Sequence, residues 1–286
     1  MTHADRLKKN PAVFRRLTGI TPDIFDDVLQ QLAPRYEEWH RTHLHHPDRE
    51  REYGGGRPFK LPVEDRLLML LIYYRTYVPH VFLGFLFVVN DSSVGRDINP
   101  LQPLLQGIFR IPERSILSKE EIMDLFFDGM EQPVERPQNK KKQKEHYSGK
   151  KKRHTIKHQV VASKTTKGKR TTVKIEALSK AFPGRMHDKK MYDRTRAVMP
   201  PGTRGKGDTG YLGTVLEIPV KNSKKRKITV EEKAFNRRHA SERVAVEHAI
   251  GKLKIWRIAA EKFRNDLHGH TLILKNIVGL HNLMFS

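Results

Sequence analysis

The chain has 286 residues, 37% of them apolar, a formal net charge of +23 and no cysteine. Such a length can bury a core and suggests about two domains. The missing cysteines exclude disulfides, zinc ribbons and thiol nucleophiles, and the charge excess points to a polyanionic partner, nucleic acid ahead of an anionic membrane surface.

The opening stretch MTHADRLKKNPAVF lacks the apolar run of a signal peptide. No segment reaches the ~18 consecutive apolar residues of a membrane span; Arg75, Pro79 and His80 break the longest runs. Residues 1–112 read as a helical domain. In ITPDIFDDVLQQL, Thr21 is placed to cap a helix with Pro22 at its first position, and Ile24, Phe25, Val28, Leu29 and Leu32 form a stripe at helical spacing. HRTHLHHPDREREYGGGRPFK reads as a loop. Its histidines His43, His45 and His46 make a poor metal site without cysteine, and its glycines suit an interdomain connection better than an arginine inserted into a minor groove. LPVEDRLLMLLIYYRTYV is apolar on most faces and should be the central helix of this domain.

HVFLGFLFVVNDSSVGRDI predicts a short apolar helix, a turn at Val88–Asn90 and a polar helix from near Asp91, which gives helix-turn-helix proportions within residues 62–100. Its second helix would present Ser92, Ser93, Arg96 and Asn99 outward, side chains suited to phosphates and base edges in a major groove. The spacing by itself also fits plain helix packing.

From about Ser118 the pattern changes to strands: DLFFDGMEQPV, RHTIKHQVVASK and TTVKIEALSKAFPG. A helix over MHDKKMYDRTRAVM follows, then strand-and-turn pieces TRGKGDTGYLG and EIPVKNSKK, a long helix from about Phe235 to Ile258, and a last apolar helix over TLILKNIVGLHNLMF. This order implies a mixed α/β layer over residues 118–286. A basic insertion near 138–153, RPQNKKKQKEHYSGKKKR, interrupts it and reads as a solvated loop that can also hold a DNA backbone.

Three acids stand out. Asp128 ends an apolar strand, Asp208 lies in a glycine-rich turn, and Glu247 shares a helix face with Arg243, Gly251 and Lys254. Val244, Ile250 and Leu253 are left for the core side of that helix. Singly, each acid has an ordinary reading as a turn former or a surface pair. Together they have the chemistry of a magnesium site, because Mg²⁺ takes hard oxygen ligands and two such ions can drive an in-line displacement at phosphorus.

The ordered set FFDGMEQPVERP, YSGKKKRHTIKHQVV, FPGRMHDKKMYD, GDTGYLG and RHASERVAVEHAIGKLKIWRI resembles the DDE transposases of the IS5 type, in the group related to Harbinger elements. The likeness covers most of residues 120–286, and the helix-turn-helix stretch ahead of it resembles the one that precedes this catalytic domain in the same family.

The resemblance implies a ribonuclease-H-like α/β catalytic domain after an all-α helix-turn-helix domain. It puts Asp128 on the first strand, Asp208 after the fourth and Glu247 on a later helix, as catalytic and metal-binding acids for Mg²⁺, with Mn²⁺ as a substitute. Arg243, Lys254 and Lys150, Lys151, Lys152 and Arg153 would hold DNA backbone, and Ser92, Ser93 and Arg96 would contact DNA from the N-terminal domain. His187 and Asp188 belong to a recurring family feature; Asp188 would cap a helix or lie behind the metal ligands, or else add a metal or substrate contact. Ala240 stands where many members carry a tyrosine. The implied function is an insertion-sequence transposase that binds terminal inverted repeats, cleaves at the element ends and joins each 3′-hydroxyl to target DNA by a two-metal mechanism. Its partners would be double-stranded DNA and further copies of itself on that DNA, with no membrane and no small-molecule substrate, in the cytoplasm and on the nucleoid. Two alternatives share these residues: a DNA-binding protein that has lost catalysis, and an endonuclease without strand transfer. An RNA-binding basic protein fits less well, since no matching motif appears.

Overall fold

The computed structural model describes residues 1–44, 59–114, 124–167, 170–223 and 226–284. His45, His46 and the glycine run at 54–56 lie outside the described residues. No helix among those described is long and apolar enough to cross a membrane. The chain forms two compact units, one of residues 1–110 with 256–258, the other of 111–255 with 259–286.

The first unit is helical: α1 (His3–Lys8), α2 (Pro11–Thr18), α3 (Pro22–Leu44), α4 (Val63–Thr76), α5 (His80–Phe87), α6 (Asp91–Ile98) and α7 (Leu101–Phe109). As its composition predicts, α4 is the centre, buried without interruption from Asp65 to Tyr74. Its two buried charges are both engaged: Asp65 accepts from the Ala4 N–H at 2.9 Å, and Arg66 pairs with Asp97 at 3.3 Å. The Thr21 hydroxyl accepts from the Ile24 N–H at 3.4 Å at the start of α3. That helix runs on into the expected loop, passing through Pro34 to Leu44. Arg35 bonds back to the Gln31 carbonyl at 2.7 Å, and Tyr36, Trp39 and His43 stack along the extended turns.

Between α5 and α6 the chain turns through Val88 in the left-handed region, and the Asn90 side chain caps α6 by accepting from the Ser92 N–H. A Cβ at Gly84 would lie 2.8 Å from the Val89 carbonyl oxygen, so glycine lets the turn close against α5. Val94 and Ile98 point inward, while Ser92, Arg96 and Asn99 are exposed and Ser93 is half-buried.

The second unit holds β1 (Asp124–Pro133), α8 (Lys140–His146), β2 (Tyr147–Ser148), β3 (Arg153–Lys167), β4 (Arg170–Leu178), β5 (Phe182–Pro183), α9 (Asp188–Thr195), β6 (Arg204–Lys206) and α10 (Val230–Leu253), the last two residues of α11 (Arg257–Ala260), and α12 (His270–Leu283). Its sheet is mixed. β1 is flanked by β3, antiparallel, and by β6, parallel, and β2, β4 and β5 also pair with β3. A central strand covered on both faces reads as a continuous apolar run, as Leu125, Phe126 and Phe127 do.

Several expectations need correction. Asp128 does not end its strand: β1 stays paired with β3 as far as Pro133, and only its ladder with β6 has stopped before Asp128. Part of the basic insertion is helical, because the Asn139 side chain caps α8 by accepting from the Lys141 and Lys142 N–H groups. The EIPV piece is no strand: Glu217 makes one bridge with Lys206 and the ladder stops, since Pro219 has no N–H to continue it. The long helix starts at Val230 rather than Phe235, because Thr229 and Glu232 form a capping box, and it stops at Leu253. Val244 on that helix is exposed rather than core-facing; His239, Val246 and Ala249 join Ile250 and Leu253 on the buried side.

Candidate active site

Asp128 and Asp208 come together through strand register. The last paired residues of the parallel ladder are Phe126 and Lys206. Asp128 and Asp208 each lie two positions further on, Asp128 still within β1 and Asp208 just after β6 has ended. Each has one oxygen fixed by a nearby backbone N–H: Gly129 donates to Asp128 Oδ1 at 2.7 Å, and Gly210 donates to Asp208 Oδ1 at 2.8 Å. Asp208 is thus also the turn former its glycines suggest, capping the single 3₁₀ turn Thr209–Tyr211.

Glu247 reaches the pair through Arg243. The guanidinium lies 3.8 Å from Asp128 Oδ2 and 3.9 Å from Glu247 Oε1, and its Nε is buried without a partner among the described residues. Burial raises the Asp128 pKa, and the Asp208 and Glu247 charges add to the rise; the Gly129 N–H and Arg243 oppose it. Glu247 itself is exposed, in a groove that α10 forms with Lys164, Thr171 and Val173 of the β3–β4 hairpin. Among the described residues, no three acidic or histidine side chains stand close enough to hold a metal ion as they lie.

His187 is the exposed N-cap residue of α9 and makes no side-chain cap bond. Asp188 is the first residue of that helix, not its cap; its carboxylate instead meets Lys157 Nζ at 3.3 Å. Arg243 is largely buried among the acids, whereas Lys254 is exposed at the end of α10. Lys150, Lys151, Lys152 and Arg153 are exposed where the chain turns from β2 into β3. Val160 of β3 pairs with Asp128, so that turn lies seven residues (160 − 153) along the strand, roughly 23 Å from the acids. Ser92, Ser93 and Arg96 belong to the other unit.

Three contributors escape a reading of the sequence alone. Lys206 is buried between Asp124, at 3.2 Å, and Glu242 of α10, at 2.6 Å, and so ties the Glu247 helix to the strand that leads to Asp208. Lys157 is a cation inside an otherwise buried stretch of β3, a pattern that by itself calls for an acidic partner. Tyr211 is fully buried, and its hydroxyl has no hydrogen-bond partner among the described residues.

The sequence matches known proteins over both units. Residues 127–282 match the family described as DDE superfamily endonuclease, and residues 59–110 match the helix-turn-helix of DDE superfamily endonuclease. The chain is 28% identical to the "Probable transposase for insertion sequence element IS702" of Microchaete diplosiphon, over 94% of this chain and 93% of that one. It is also 28% identical to the "Putative transposase for insertion sequence element IS112" of Streptomyces albus G, over 81% of this chain and 84% of that one. No solved structure matches. With both family segments present in order, the chain belongs to the DDE superfamily endonucleases and carries their helix-turn-helix ahead of the endonuclease domain.

Proposed function

We propose that this protein is an insertion-sequence transposase that cuts the phosphodiester bonds at the element's ends and joins the freed 3′-hydroxyls to target DNA. The observation that carries the reading is that Asp128 and Asp208 each lie two positions beyond the last pair of the β1–β6 ladder, with Glu247 facing Asp128 across Arg243. The names of the two relatives support it. The mixed sheet with its parallel β1–β6 pair is what a ribonuclease-H-like domain would need to present these acids.

The donor set fits a divalent cation of the Mg²⁺ type. It consists of carboxylate oxygens, and in each aspartate one oxygen is tethered by a backbone N–H while the other is left for a ligand. Asp128 and Asp208 would hold the ions between them, and Glu247 would complete one site. When bound, Mg²⁺ or Mn²⁺ would activate the attacking water or hydroxyl and stabilise the leaving oxygen. The protein's own groups do the positioning. The Gly129 and Gly210 N–H groups fix the aspartates, and Lys206 anchors α10 through Glu242. Arg243 balances the acids before loading and would meet a DNA phosphate afterwards. Ser92, Ser93 and Arg96 on α6 would read the terminal repeats. Lys150, Lys151, Lys152 and Arg153, with Lys254, would hold backbone away from the reacting bond. Two ends must be joined, so at least two copies would act together on the DNA.

The test is a cleavage and joining assay on a plasmid carrying the gene's own flanking DNA, with and without Mg²⁺ or Mn²⁺. Metal-dependent cuts at fixed flanking positions and joined products are expected from the wild type, and neither from Asp128→Asn or Asp208→Asn. Wild-type cutting by both variants would sink the proposal. Cuts without joined products would leave an endonuclease; tight binding with no cutting would leave a DNA-binding protein that has lost catalysis.

A further inference from the structure

A fourth carboxylate lies at the paired aspartates. Asp188 turns back from the start of α9 toward the sheet, where Lys157 Nζ holds its Oδ1 at 3.3 Å. A Cβ at Gly129 would stand 3.2 Å from Asp188 Oδ1, and a Cβ at Gly210 would stand 2.8 Å from Asp188 Oδ2 and 2.8 Å from Asp208 Oδ1. One carboxylate therefore rests against the residue after Asp128 and also against the residue two after Asp208. The two glycines supply the space it occupies, which gives both of them a purpose beyond turn formation.

Tyr211 lies beside this cluster, next in the chain to Gly210. Its ring packs edge-on against Phe127 and Tyr192, with centroids 6.5 and 6.2 Å away, and a Cβ at Gly207 would lie 2.9 Å from it. The side chain is fully buried, yet its hydroxyl finds no partner among the described residues. The charges it feels are those of Asp188, Asp128 and Asp208, opposed by Arg243. A buried hydroxyl without a partner lowers stability, and a phenylalanine would fill the same space without that penalty. The hydroxyl makes sense if the carboxylates move to meet it once a cation draws them together.

We propose that Asp188 is a fourth carboxylate of the divalent-cation site and that the Tyr211 hydroxyl is a positioning group, which donates a hydrogen bond to the carboxylates only when the site is loaded. This inference rests on the proposed transposase function. Lys157 stands in for the missing positive charge until then, paired with Asp188. Tyr211 acts through the carboxylates and touches no reacting atom.

Mn²⁺ binding to the full chain, followed by the loss of the free-ion electron paramagnetic resonance signal, tests this together with thermal unfolding in EDTA and in Mn²⁺. Asp188→Asn should weaken Mn²⁺ binding by about tenfold or more, and Tyr211→Phe by about three- to tenfold. In EDTA, Tyr211→Phe should melt no lower than the wild type, because the hydroxyl it loses is unpartnered there; in saturating Mn²⁺ it should melt lower. A purely structural tyrosine would lower both melting temperatures alike, and that result overturns the positioning role. Asp208→Asn separates the two readings. If it abolishes Mn²⁺ binding while Asp188→Asn and Tyr211→Phe bind like wild type, this inference fails and the proposed function stands. If Asp208→Asn binds like wild type, or the wild type binds no Mn²⁺, both fail.

Discussion

The Gly210 N–H holds Asp208, and the place of the side chain that glycine lacks is bounded by two carboxylates. Gly210→Ala pushes only the ends of flexible side chains, so unfolding in urea should move by no more than about 1 kcal/mol. The carboxylates themselves must shift by several tenths of an ångström, and under the proposed function metal-dependent cleavage should fall by about tenfold to a hundredfold. A wild-type cleavage rate would show that the acids need no such close placement. The same contrast explains what is legible in the sequence. Asp128, Asp208 and Glu247 stand in motifs whose glycines and helix spacing are local, and their residue types already suit a cation. Lys157 and Tyr211 gain meaning only once β3, α9 and the turn after β6 are in place, because their partners are distant in the chain: Lys157 is 31 residues from Asp188. Asp188 reads as a helix cap because it sits at a helix start; its carboxylate has a cation to meet and leaves the cap position to His187.

At the scale of elements, the seam between β1, β3 and α12 carries a buried polar chain. His158 Nδ1 contacts the Ser179 carbonyl at 2.8 Å, His158 Nε2 contacts His270 Nδ1 at 2.9 Å, and His270 Nε2 contacts Gln132 Oε1 at 2.7 Å. Gln132 is oriented by donating to the Glu261 carbonyl at 2.8 Å. Both ends of the chain are acceptors, so three contacts need three protons, and two neutral imidazoles supply two. A third proton would complete the chain, but burial opposes the charge: His158 is pushed down to about 4, and His270 well below its ordinary value. These groups bind protons more weakly when folded, so their contribution is full above the unfolded value near 6.5 and is lost as pH falls toward 4. By pH 5, His158 alone should cost about 2 kcal/mol of stability in urea unfolding, and His158→Gln should flatten that slope. An equal slope in the variant would place the acid sensitivity elsewhere. Element positions are readable where the pattern is local, as in the apolar run of β1 or the single turn between α5 and α6. The start of α10 is also spelt locally, by the capping box of Thr229 and Glu232, although the apolar Phe235 draws the eye to a later start. EIPV imitates a strand because its apolar residues outweigh the proline that ends the ladder.

For the whole molecule, nearly all of the net charge of +23 belongs to the second unit, and the two units have different tasks on DNA under the proposed function. Lys150, Lys151, Lys152 and Arg153 form an exposed run of four cations, so under the proposed function they should act as phosphate contacts. Each phosphate neutralised contributes about 0.9 to the slope of log affinity against log salt. Replacing all four by alanine should therefore flatten the slope by up to about 3.6 and weaken binding to any duplex alike. Arg96 is different. It is exposed on a helix with Ser92 and Ser93, to which it is linked by contacts of 3.4 Å, and its helix follows a turn closed by Gly84. Arg96→Ala should cost about 1–3 kcal/mol on the element's own ends and much less on unrelated duplex. Competition binding at two salt concentrations separates the two kinds of contact. Equal loss on both DNAs for Arg96→Ala would make α6 another backbone clamp and move the reading of the ends to a different surface.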